Sequence, residues 1–144
     1  MRATLAAVFA GLLLVPGVVL AAGPYVYVAN ERSNDVSIID ASTKAVIGTI
    51  AVGQRPRGMG LSPDGKTLYV ALGIEQAIAV VDVAARKVTS KIPAGSDPEG
   101  LAVSRDGERL FVSNEDAATA SVIDTRSGQI VGRIGVAWSP RASP

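Results

Sequence analysis

From Tyr25 onward the chain alternates between short apolar runs and clusters of turn residues. YVYVAN at 25–30, TLYVAL at 67–72 and RLFVSN at 109–114 are rich in Val, Leu, Tyr and Phe. Runs of about six such residues, bounded by turn formers, read as β-strands. No window past residue 22 keeps a 3.6-residue apolar period between breakers, so no helix is expected there. The unit that begins at Gly53 predicts four strands, at about 58–62, 67–72, 77–82 and 87–92. SPDG at 62–65 and SRDG at 104–107 predict tight turns. In both, Asp supplies an acceptor for the local backbone and Gly tolerates positive φ. DASTKA, DVAARK and DTRSGQ, beginning at Asp40, Asp82 and Asp124, turn the third strand into the fourth in the same way.

The pattern repeats every 42 residues. SIID at 37–40, AVVD at 79–82 and SVID at 121–124 follow the same spacing as the three runs above. Residues 53–94 laid on 95–136 without a gap give 11 identities, among them Gly53/Gly95, Pro56/Pro98, Asp64/Asp106 and Asp82/Asp124. A constant period of this length, with four strands and no helix, points to the blades of a β-propeller. The expected fold class is therefore all-β, built of four-stranded antiparallel units and incomplete at about 2.7 blades.

The repeated [YF]-V-[AS]-x strand, V-[VI]-D strand, S-x-D-G turn and G-x-x-P-x-G loop resemble the YVTN-type β-propeller repeat family. GQRPRGMGLSPDGKTLYVAL followed by GSDPEGLAVSRDGERLFVSNED is similar to one branch of it, the β-propeller proteins associated with PQQ-dependent catabolism. That resemblance implies an exported role near PQQ-dependent oxidation of alcohols. It does not imply that this chain binds PQQ. Members of the family close a ring of several blades. The expectation here is a fragment of such a ring, with assembly of two or three copies into one ring as the alternative.

The reading divides the chain into a signal peptide at 1–22 and a partial propeller at 23–144. Within the propeller, 23–52 is a blade lacking its first strand. Residues 53–94 and 95–136 are full repeats, and 137–144 is the truncated start of the next. Arg2 and the apolar stretch 5–20 resemble a cleaved export signal, with small residues at Ala21 and Ala22, rather than a membrane anchor. The expected location is periplasmic or secreted, with no membrane attachment after cleavage.

The 144 residues include 14 Lys and Arg, 13 Asp and Glu, and neither His nor Cys. Without Cys there are no disulfides, thiolate metal sites or Cys-linked haem. Without His the commonest metal ligand and neutral-pH base is missing. The near balance of charge argues against nucleic acid as a partner. Ser62 and Ser104 have no His for a nucleophilic pair, and Gly-rich phosphate loops are absent.

Candidate chemistry is left to the loops. GQRPRG at 53–58 and GSDPEG at 95–100 share one frame but invert its charge. Their Gly and Pro residues set the backbone, while the displayed residues are free to differ. In a propeller these loops share a rim with the connections between second and third strands, NERSND, LGIEQA and NEDAAT. The candidate binding residues are Arg55, Arg57, Asp97, Glu99, Glu115 and Asp116. The arginines suit a carboxylate, a phosphate or an acidic partner, and the carboxylates suit a cation or a basic one. Surface salt bridges of little consequence are the competing reading.

The expected function is a non-catalytic binding or scaffold propeller with no cofactor and no metal. Its partner would be an unknown protein or a small anionic ligand, and its open blade edges favour self-association. The alternatives are an electron-transfer or cofactor-binding propeller enzyme, a nucleic-acid-binding propeller and a nonfunctional remnant.

Overall fold

The computed structural model describes residues 24–136, all of it strands and turns. The expected signal peptide and the segment 137–144, with Trp138 and Arg141, lie outside the described residues. Eleven strands form three antiparallel sheets. The first holds β1 (Tyr25–Asn30), β2 (Asp35–Asp40) and β3 (Ala45–Ala51). The second holds β4 (Pro56–Leu61), β5 (Thr67–Leu72), β6 (Ala77–Asp82) and β7 (Lys87–Pro93). The third holds β8 (Pro98–Val103), β9 (Arg109–Asn114), β10 (Thr119–Asp124) and β11 (Ile130–Gly135). Each sheet is a meander in which sequence neighbours pair, the arrangement of propeller blades.

The blades stack through apolar faces. Leu68, Val70 and Leu72 on β5 join Val36, Ile38, Ile50 and Val52 of the first blade in one core. Tyr69 and Ala71, the alternate positions of β5, join Leu110, Val112 and Ile123 of the third blade in another. Successive side chains of a strand point to opposite faces. Both faces of the middle blade are covered, which is why TLYVAL is apolar at almost every position rather than at every second one.

The turns follow the sequence closely. Asp64 and Asp106 each accept from the preceding Ser hydroxyl at 2.6 Å and from a backbone N–H two residues on. Asp40, Asp82 and Asp124 accept backbone N–H groups of their own turns at 2.7–3.0 Å. One difference concerns the first strand of each full blade. It starts at Pro56 and Pro98, two residues before the sequence expectation of 58 in the second blade. Its pairing then skips: Pro56 opposes Leu72 but the next partner is Met59 with Val70. Arg57 and Gly58 thus sit in an irregularity of the innermost strand, as do Glu99 and Gly100. A bulge of this kind re-aims side chains.

Candidate functional site

The loops that enter β4 and β8 sit against the turns that join second to third strands. Gly73 donates its N–H to the Arg55 carbonyl at 3.0 Å, and Glu115 to the Asp97 carbonyl at 3.0 Å. Arg55 donates its own N–H to the Asn34 side chain at 2.9 Å. Arg55 and Asp97 occupy equivalent places, both with left-handed backbone, φ 57° and 46°. Non-glycine residues adopt this conformation at a cost of about 1 kcal/mol or more. The hydrogen bonds on both sides of the loop hold them there.

From this frame two arginines of the second blade reach four carboxylates, one from the first blade and three from the third. Arg55 donates from Nε to Glu31 at 3.1 Å and from Nη1 to Asp97 at 3.1 Å. Arg57 donates from Nη1 to Glu99, lies 3.7 Å from Glu115 through the same nitrogen, and reaches Glu31 from Nη2 at 3.5 Å. The side chains of Asp97 and Arg57 are largely buried, at 13% and 19% exposure, whereas Glu31, Glu99 and Glu115 are about half exposed. Arg57 Nε is itself buried and has no hydrogen-bond partner among the described residues. The hydrogen bond from Arg55 is the main reason the Glu31 carboxyl is held below the usual carboxylate range, and the charge of Arg57 adds to it. The same bond raises the Arg55 guanidinium further above its usual value.

Five of the six residues singled out in the sequence therefore converge: Arg55, Arg57, Asp97, Glu99 and Glu115. Asp116 is exposed and forms no ion pair with either arginine among the described residues. The inverted loops are joined across the blade boundary, Arg55 to Asp97 and Arg57 to Glu99, each pair one repeat of 42 apart.

Glu31 was not among the expected residues, yet it bridges both arginines. Its signal lay in the repeat. Positions 31, 73 and 115 are equivalent and carry Glu, Gly and Glu. The central glycine has a structural cause as well. A Cβ on Gly73 would lie 2.8 Å from Asp97 Oδ1 and 3.3 Å from Arg55 Cδ. The blade without a carboxylate at this position is the one that makes room for the Arg55–Asp97 pair.

The chemistry available is that of guanidinium donors and ionised carboxylate acceptors at the mouth of the innermost strands. Such donors hold or polarise an oxygen, and such acceptors orient water or take a proton.

A family described as lactonase, 7-bladed beta-propeller, matches residues 17–133. Among curated proteins, the PE-PGRS family protein PE_PGRS18 of Mycobacterium tuberculosis is 45% identical over 47 residues, 33% of this chain and 10% of that protein. Among solved structures, the hydrazine synthase of Kuenenia stuttgartiensis aligns with a TM-score of 0.75 and 28% identity, over 81% of this chain and 34% of that one. The dihydro-heme d1 dehydrogenase NirN aligns with a TM-score of 0.62 and 26% identity, over 76% of this chain and 24% of that one. The chain thus spans about a third or less of each of these relatives.

These findings overturn the expectation of a non-catalytic protein. The matching family is described by an activity, and the two structural neighbours are a synthase and a dehydrogenase by name. That expectation leaned on the lack of His and Cys. Their absence removes only chemistry that needs an imidazole or a thiolate, and the rim supplies carboxylates and guanidinia instead.

Proposed function

Because the chain belongs to the lactonase family of seven-bladed β-propellers, we propose that it supplies blades of an enzymatic propeller that opens small cyclic esters at the Arg55–Arg57 rim. The observation that carries this reading is the convergence of four carboxylates, from the blades on either side, on two arginines beside the innermost strands. Arg57 polarises the acyl oxygen and stabilises the charge that gathers on it. Glu115, the loosest partner of Arg57 at 3.7 Å, accepts a proton from the attacking water. The water oxygen bonds to the acyl carbon and the ring C–O bond breaks. The ring oxygen leaves as a hydroxyl with the proton Glu115 returns. Glu31, held below the usual carboxylate range, is a poor proton acceptor and serves to anchor the arginines. The product is a hydroxycarboxylate, an anion that suits the guanidinia.

The export-signal reading of residues 1–22 supports a periplasmic or secreted location. The resemblance of the loop pair to propellers of PQQ-dependent catabolism supports a place beside a quinone-dependent dehydrogenase. Two-electron oxidation of a cyclic hemiacetal by such an enzyme is the class of reaction that supplies a lactone.

The test is proton release from simple γ- and δ-lactones in weakly buffered solution, with wild type, R57Q and E115Q. The expected result is turnover above the buffer rate, lowered about a hundredfold in kcat by R57Q and less by E115Q. A wild-type rate equal to buffer, or an R57Q rate equal to wild type, overturns the reading.

The two structural neighbours favour a second reading, a redox propeller that carries a cofactor. The chain includes no His or Cys, the commonest protein ligands of haem iron. A stoichiometric visible absorption band in the purified protein would establish this second reading in place of the first.

A further inference from the structure

The outermost strand of a blade leaves one row of backbone N–H and C=O groups unpaired, and proteins guard such edges with charges. In the second and third blades the guard stands at one repeat position. Lys91 on β7 and Arg133 on β11 are 42 residues apart, and both are exposed. The equivalent residue on β3 is Thr49. Lys87, a second cation on β7, has Ala45 as its counterpart on β3. β3 reads AVIGTIA, seven residues with no charge. Val46 is 62% exposed and Ile47 37% exposed. Among the described residues β3 pairs with β2 alone. All three outer strands carry a bulge at the same place, which leaves Gly48–Ala51 as the regular segment on β3.

We propose that β3 pairs edge to edge with β3 of a second copy, antiparallel about a two-fold axis across Gly48–Ala51. The strand is suited to its own copy for a specific reason. A two-fold pairing sets each residue near its own symmetry mate or a close neighbour. On β7 or β11 that would bring Lys91 toward Lys91 or Arg133 toward Arg133, and like charges across strands oppose pairing. Lys91 is partly balanced by Glu75 at 2.5 Å, but burying that pair in a strand junction costs desolvation. On β3 the same register brings Thr49 toward Thr49 or Ile50, with no charge on the strand itself, and the nearest cation, Arg86, lies over Gly48 at the end of the junction. Two three-stranded sheets become one of six strands. Ile47, the residue the bulge leaves unpaired, adds apolar surface beside the junction. An outer edge lies away from the innermost strands that carry Arg57, so the pairing leaves the rim open.

The test is sedimentation equilibrium of wild type, T49K and F111D across a concentration series, with thermal melts of each. T49K installs the residue found at the equivalent place in the second blade. F111D instead charges the exposed face of the third blade, where Phe111 stands at the repeat position of Tyr69. The expected result is a wild-type dimer, a T49K dissociation constant raised about tenfold, a T49K melt equal to wild type at concentrations where both are monomeric, and a dimer retained by F111D. A wild-type protein that stays monomeric at its solubility limit overturns the proposal, even if it captures an added β-strand peptide. So does a dimer that survives T49K. Loss of the dimer in both variants also overturns it, because the edge would then not be what decides assembly.

Discussion

Gly58 tests how closely the innermost strands approach beside the rim. A Cβ built there would lie 2.8 Å from the Leu101 amide nitrogen and 3.0 Å from Gly100 Cα, and would also press on the Glu99 carbonyl oxygen. All three are backbone atoms of β8, so no flexible side chain can yield. Real Cβ contacts keep about 3.4 Å or more, so G58A must part β4 from β8. Overpacking of this kind costs about 3 kcal/mol, the upper part of its usual range. For roughly a hundred ordered residues that lowers the melting temperature by about 12 °C. Two other glycines calibrate the claim. Gly65 has φ +71° but nothing within 4 Å of its Cβ position, so G65A pays only for a left-handed alanine, about 1–2 kcal/mol. Among the described residues nothing lies within 4 Å of the Gly135 Cβ position, and its φ is not positive, so G135A is neutral or stabilising by about 0.5 kcal/mol. The assay is urea denaturation followed by circular dichroism, with the slope checked for constancy. If G65A proves as costly as G58A, close strand approach is not what selects glycine at position 58.

The S-x-D-G turns predict an acid response. Asp64 and Asp106 are held below the usual range chiefly by the hydroxyls of Ser62 and Ser104, so their contribution is present above the unfolded value of about pH 4 and lost as pH falls through the folded one. S62A/S104A should lower the melting temperature at pH 7, where that contribution is present, and converge on wild type at low pH, so that the fall below pH 4 is flatter; an unchanged acid profile would discount these turns. Inside the third blade, buried Asn114 donates to Ser121 Oγ at 2.8 Å while its own Oδ1 has no partner. The second blade carries Leu72 and Ala79 at the same places. N114L alone should cost about 1–3 kcal/mol by stranding the Ser121 hydroxyl, whereas N114L/S121A should be neutral or stabilising, measured as a denaturation cycle. Equal costs for the single and the double variant would show that the polar pair is not the reason.

Much of the architecture is local and is therefore written in the sequence. Repeated aspartates and glycines make turns through hydrogen bonds two or three residues away, so SPDG and SRDG announce themselves. Strand positions follow from the spacing of those turns, and the 42-residue period follows from both. The sequence also marks Arg55, Arg57, Asp97, Glu99 and Glu115 as a charged set on one loop design. What it does not contain is their partnership. Glu31 joins Arg55 from 24 residues away, and Asp97 joins it from 42. Those distances close only because the blades stack through two cores, one holding Val70 and Ile38 and the other Tyr69 and Leu110. Gly73 shows the same division: its letter is visible in the sequence, but the space it must leave is defined by Asp97 of the next blade. Turns and strands are determined by short-range hydrogen bonding and alternation, while the site is determined by packing between blades, which only the tertiary structure brings together.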